Sequence, residues 1–352
     1  MTSRPDTPAR FTGVNLPWRA QFVMLAAVWG SSFLFIKVLD KHWAPPWVSF
    51  WRLALGAATL VALTAYQRER LRFPRAVWQS LVVNAVLFNA VPFTLYAFGE
   101  KHVPSIVAGL WNGTTPLWVL TFALMAFPEE RPTRERLVGL VIGFAGVVTL
   151  LGPWQGLHGG ALIGQLACAG AAISYGIAFL YTRRHLAGLP YSGVALSAAQ
   201  LLCATGLLAL VVPFAPAPTI HVGLDGLGSI LGLGILSSGV AYALNYAIVR
   251  AAGATVASTV TYLIPVFSTI LGVIVLSEPL RWNQPVGAAI LLAGIAVSQR
   301  PFSPSAGDRA SGHEDADGSA AASPERSAPP VGGAAPPSPA PARSRRRSRS
   351  PR

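Results

Sequence analysis

Two cations lie inside otherwise apolar stretches of this 352-residue chain: Lys37, within VWGSSFLFIKVL, and Arg52 in the following run. An isolated charge in hydrocarbon is expensive, so such a side chain faces a protein interior, finds a partner or snorkels to the interface. Lys37 either snorkels beside Asp40 or is functional; Arg52 lies deeper and points to a pairing or pathway role. Polar and ring-bearing residues recur in the same kind of surroundings: Trp29 and Ser32, Asn89 and Tyr96, then Trp111, Asn112 and Thr115. Further along come Tyr175, Tyr242 and Asn245, and Thr261 and Tyr262. Uncharged amides, hydroxyls and ring faces suit a small zwitterion or an aromatic or amphipathic organic solute, whose ammonium would meet carbonyls and π faces. The competing role of each residue is an interhelical hydrogen bond or packing contact.

Other chemistries find little support. A phosphate loop is excluded, because the only lysines are Lys37, Lys41 and Lys101 and none follows the required glycines. Five histidines sit in loops or at run ends and the sixth, His313, near the C-terminus, with no second histidine at helical spacing. Cys168 and Cys203 lie inside apolar runs, which suggests neither zinc ligation nor a disulfide framework. Asp40, Glu69, Glu100, Glu129, Glu130, Glu135, Asp225 and Glu278 all fall at run ends or in loops. That argues against a membrane-embedded acid–base enzyme and leaves proton coupling without an obvious carboxylate at depth. No catalytic residue, metal or cofactor is expected.

These side chains need elements to position them. Charged residues make up only 12% of the chain and the mean hydropathy is +0.49, too apolar for an ordinary soluble domain. The net charge of +13 is therefore read by its placement, and nucleic acid is not expected as a partner. Ten apolar runs are long enough to cross a bilayer as helices: near 18–38, 46–66, 77–99, 103–127, 136–152, 160–181, 191–213, 226–248, 253–276 and 284–299. With the N-terminus inside, the cytoplasmic face receives Arg4, Arg10, Arg19, Arg68, Arg70, Arg72, Arg75, Arg131, Arg134, Arg136, Arg183, Arg184 and Arg250. The outer face receives only Lys41, Lys101 and Arg281, so both termini are expected in the cytoplasm.

The plan is stated twice. A shift of 149 positions pairs Lys101 with Arg250, Pro116 with Pro265 and Glu129 with Glu278; earlier, a shift of 146 pairs Gly30 with Gly176 and Lys37 with Arg183. Five runs per half reverse the second half in the membrane. The expected fold is all-α, with ten transmembrane helices forming two inverted repeats, 18–152 and 160–300, the architecture of alternating-access carriers. Pro116 and Pro265 each free a carbonyl near the bilayer midplane, where only protein or a watery cavity can satisfy it. Glu129 and Glu278 close these broken runs on opposite faces, as interfacial ion pairs with Arg131 and Arg281 or as gates.

Glycines four apart, Gly139 with Gly143, Gly160 with Gly164 and Gly228 with Gly232, suit close helix packing inside the molecule or across a homodimer. Residues 1–17 are read as a cytoplasmic lead-in. From 301 to 352 the Pro, Ser, Ala and Arg-rich composition cannot bury a core and is read as a disordered cytoplasmic tail.

The segment VWGSSFLFIKVL at 28–39, the adjacent Trp51 and Arg52, and a proline followed thirteen residues later by glutamate in the fourth and ninth runs resemble the EamA-type proteins of the drug/metabolite transporter superfamily. The resemblance covers about 18–300. It implies an inner-membrane carrier, usually an exporter of amino acids, related metabolites or toxic compounds, with a central cavity between the halves. The second half departs from the first: Gly176 and Arg183 are kept, but Ala198 stands where the repeat would match Arg52, with Gln200 close by. A pore would need rings of carbonyls or charge that are not evident, and a transferase would need an intramembrane acid or base.

Overall fold

The structure is a computed structural model that describes residues 16–126, 133–155, 159–218, 223–252, 257 and 259–298, all within the compact unit Met1–Arg300. Among these residues the secondary structure is helical throughout. In chain order the helices are α1 (Trp18–Leu39), α2 (Pro45–Tyr66), α3 (Arg75–Glu100), α4 (Ser105–Asn112), α5 (Thr115–Ala126) and α6 (Arg134–Leu151). They continue with α7 (Gly160–His185), α8 (Gly193–Ala209), α9 (Leu224–Ala252), α10 (Ile264–Leu276) and α11 (Asn283–Ser298).

The ends follow local chemistry. Pro45 opens α2, where its missing N–H costs nothing. The hydroxyls of Thr133 and Ser192 cap α6 and α8 by accepting from the N–H groups of Arg136 and Ala195. Gly152 ends α6 in the left-handed region at φ 60°.

Among the described residues, seven helical segments are long and apolar enough to cross a membrane: α1, α2, α3, α7, Gly193–Phe214, α9 and Thr259–Leu276. The expected fourth run is divided at Gly113–Thr114 into α4 and α5. The fifth carries three charges, Arg134, Glu135 and Arg136, in its first turn, and α11 has only 16 residues.

The expected proline breaks take a different form. Pro116 and Pro265 sit in the first turns of α5 and α10, where proline is tolerated, rather than mid-helix. The chain turns just before each, and α5 and α10 begin at Thr115 and Ile264, positions 149 apart. The two breaks also touch: a Cβ at Gly113 would stand 2.6 Å from Cγ of Pro265.

A second recurrence was not foreseen. α3 widens into a π-helical turn at Val86–Ala90 and α9 at Gly232–Val240, again overlapping at the 149 shift. In α3 the cause lies just downstream, since Pro92 has no N–H for the carbonyl of Phe88. In α9 the turn runs through Gly232, Gly234, Ser237, Ser238 and Gly239, small residues that hold a regular helix weakly.

Packing recurs in pairs as well. Gly30 of α1 lies against Phe267 and Ser268 of α10, and Gly176 of α7 lies against Trp118 and Phe122 of α5. Those partners are Trp118 and Phe267, themselves 149 apart. α6 packs along α11 with Gly139, Gly143 and Gly146 facing Gly287 and Gly294 backbone to backbone, and Gly164 admits Gly99 and His102. Gly232 faces Phe35, whereas Gly228 faces open space.

Candidate functional site

A cavity lies among α1, α2, α3, α7, α9 and the broken segments. Of the expected solute-facing residues, Trp29, Ser32, Tyr96, Asn112, Thr115, Tyr175, Tyr242 and Thr261 line it. They come from both halves of the chain. The remaining wall is Arg52 with apolar side chains, among them Phe33, Phe88, Phe93 and Phe179. Sequence reasoning passed over these phenylalanines because one ring in an apolar run carries no periodic signal. The hydroxyls of Ser32 and Thr115 and the side-chain carbonyl of Asn112 are buried and find no well-aligned partner among the described residues. Buried polar atoms of that kind are costly unless something in the cavity meets them.

Arg52 is 7% exposed. Its Nε donates to Oγ of Ser238 at 3.0 Å, and its guanidinium lies 3.7 Å from the ring centre of Phe93. The widened turn of α9 presents both Ser238 and Ser237, whose carbonyl accepts from Nε1 of Trp29 at 3.2 Å while its hydroxyl donates to the carbonyl of Val28. The turn of α3 acts likewise: the carbonyl of Leu87 accepts from Ser174. The α9 turn therefore holds two cavity side chains, Trp29 and Arg52, and the α3 turn holds Ser174, the neighbour of the cavity residue Tyr175.

Asn89, Trp111, Asn245 and Tyr262 stand outside the cavity wall. Asn89, fully buried, donates to the hydroxyl of Tyr242 at 3.1 Å and accepts from Gln200 at 2.6 Å. Gln200 in turn accepts from Asn84, and Asn84 from Thr182. In this chain of amides, Gln200 lies two residues from Ala198, the position that the repeat would match to Arg52. Trp111 is buried with Nε1 3.4 Å from Oε1 of Gln165, Tyr262 packs on the core around Ile106 and Ile264, and Asn245 is half-buried on α9.

Lys37 does not reach outward beside Asp40. Its ammonium donates to the carbonyls of Glu100 and Val103, the latter at 2.9 Å, and so neutralises the C-terminal end of α3. The carboxyl oxygens of Asp40 and Glu100 are buried with no hydrogen-bond partner among the described residues. Position at a run end did not mean exposure. Burial pushes the Asp40 carboxyl up to about 8, against the opposing pull of Lys101 and Lys37.

Glu278 is a helix cap. Its carboxylate accepts from the N–H of Ser105 at 2.8 Å, the hydroxyl of Ser105 at 3.0 Å and the N–H of Ile106 at 3.1 Å. It thereby ties the end of α10 to the positive end of α4. Glu129 and Arg131 lie outside the described residues. Among the described residues no group of three or more His, Cys, Asp or Glu is placed to hold a metal.

An apolar helical body with a two-sided, ring-lined cavity has a counterpart among known proteins. The sequence matches the EamA-like transporter family over residues 18–152 and 162–299. The chain belongs to that family. An uncharacterized transporter of Archaeoglobus fulgidus is 29% identical over 77% of this chain and 95% of its own length. The uncharacterized transporter YoaV of Bacillus subtilis is 24% identical over 80% and 96%, and the uncharacterized inner membrane transporter YedA of Escherichia coli is 24% identical over 73% and 82%. A crystal structure of another protein, 24% identical, shares the fold at a TM-score of 0.58 over 80% of this chain and 96% of that one. This EamA-family protein is accordingly a multi-pass membrane protein of the transporter class.

Proposed function

We propose that this EamA-family protein is a secondary transporter, working as an exporter, that moves a small organic solute by alternating access and catalyses no covalent chemistry. The reading has ten membrane crossings in two inverted five-helix halves, 18–152 and 160–300, in the cell membrane with both termini cytoplasmic. The observation that carries it is the cavity itself, walled by both halves at the level where α4–α5 and the segment before α10 are broken. Recurrence of the breaks, of the π turns and of the Gly30 and Gly176 contacts at the repeat spacing supports the paired halves.

In this reading the residues lining the cavity bind the solute, and Lys37, Glu278 and Glu129 serve closure. Glu278 joins a helix end of one half to a helix start of the other, so one half rocking against the other must release three charge-assisted bonds. Counterflow in proteoliposomes tests the proposal. A carrier saturates and exchanges labelled solute against an unlabelled gradient; a pore does neither, and an enzyme leaves an altered product. Asn112→Ala is expected to weaken exchange while leaving insertion and monodispersity intact, and wild-type exchange in that variant would remove Asn112 from the solute site.

A further inference from the structure

The charge in the cavity is lopsided. Among the described residues that line it, Arg52 alone carries a formal charge, and no carboxylate faces it from the wall. Glu100 lies within electrostatic reach of Arg52 but outside the wall, and makes no hydrogen bond to it. Of the five N–H donors of Arg52, only the one on Nε meets an acceptor among the described residues, Ser238, while one face of the guanidinium is covered by Phe93. An arginine buried to this degree, with its outer fork open toward the cavity, is poorly compensated, and a planar carboxylate is the group that fits such a fork two bonds at a time. Much of the rest of the wall is aromatic, including Trp29, Phe88, Tyr96, Tyr175 and Phe179, with the neutral polar groups of Ser32, Asn112, Thr115 and Thr261 among the rings.

We propose that Arg52 selects the solute: the cavity takes organic anions, a carboxylate joined to an aromatic or apolar body, in preference to the same body bearing an amine. This rests on the cavity being the solute site and specifies its chemistry. It also revises the expectation that an ammonium would dock on the ring faces. One ring is already taken by Arg52, and a second cation would be repelled across a cavity whose described wall carries no carboxylate. A zwitterion falls between, since its carboxylate meets the charge of Arg52 while its ammonium meets only neutral acceptors, the Asn112 carbonyl and the Ser32 and Thr115 hydroxyls.

The test holds the ring constant and changes the charge. Binding of 3-phenylpropionate, phenylalanine, phenethylamine and the neutral 3-phenylpropanamide to the purified full-length protein in nanodiscs is measured by calorimetry at neutral pH. The expected order is propionate, then phenylalanine, then phenethylamine, with about tenfold or more between the first and last, as one charge-assisted pair provides. Arg52→Gln is expected to erase that order and leave the amide's affinity within about twofold, with Arg52→Lys intermediate. Tightest binding by phenethylamine, or an unchanged charge order in Arg52→Gln, overturns the proposal. The order in the wild-type protein decides the matter even if the variants do not fold. Binding that ignores charge refutes the selection by Arg52 alone, whereas no binding by any of the four, together with no counterflow of any solute, removes the solute cavity itself.

Discussion

At the scale of single residues, Asp40 gives the clearest dependence on pH. Its folded value of about 8 lies above the ordinary 3.8, so between these limits the folded state keeps a proton that the unfolded chain releases. The stabilisation is therefore complete below about pH 4 and is lost as pH rises through about 8. Thermal unfolding followed from about pH 5 to about pH 9 should show a falling Tm in the wild-type protein and a flatter profile in Asp40→Asn; parallel profiles would refute the assignment. Lys37, Lys101 and Glu100 act on the same carboxyl and remain in both proteins. Glu278 makes a separate prediction. Glu278→Ala leaves the N–H groups of Ser105 and Ile106 without their acceptor and should lower stability by about 1–2 kcal/mol, with Glu278→Gln recovering part of it. Neither role was legible from position alone, because a carboxylate at a run end looks solvated until its neighbours in space are known.

Close backbone approach, not side-chain interlock, holds the α6–α11 pair. A methyl at Gly146 would stand 2.5 Å from the backbone nitrogen of Leu291, and one at Gly206 of α8 would meet nothing within 4 Å. Gly146→Ala should therefore cost about 1–3 kcal/mol through displaced backbone, while Gly206→Ala should be neutral or slightly stabilising through helix propensity. Melting curves of the two variants in one detergent compare them directly; equal Tm values would mean that α6 and α11 separate readily. The Gly139 and Gly143 spacing announced a packing face, and α11 is the partner it found. The π turns were not announced. Their causes, Pro92 in α3 and a run of glycine and serine in α9, are ordinary residues in membrane helices, and only the packing of Ser174, Trp29 and Arg52 onto the loosened carbonyls and serines makes them positioning devices.

For the molecule as a whole, the distribution of basic residues predicts orientation. Cysteines introduced at Lys101 and Arg281 in a background lacking Cys168 and Cys203 should react with a membrane-impermeant thiol reagent from outside intact cells. Those at Arg70 and Arg183 should react only after permeabilisation. The reverse pattern, or labelling of all four from one side, would end the inverted-repeat reading. The same halves that this experiment orients are the ones whose breaks touch at Gly113 and Pro265, where the cavity lies.

Periodicity of apolar runs, the 149-residue recurrence and the motifs around Gly30, Arg52 and the two prolines were sufficient for the family and the helical class, because hydrocarbon permits few backbone solutions and each leaves a compositional trace. Trp29, Tyr96, Asn112 and Tyr242 were found as cavity residues for the same reason: polarity is conspicuous in an apolar run. What only the tertiary structure decided is which polar groups face one another. Asn89 turns away to Gln200 and Tyr242, Lys37 to the end of α3, and Glu278 to the start of α4. Partners more than sixty residues apart are set by helix rotation and crossing, and a linear pattern does not encode the rotation of one helix against another.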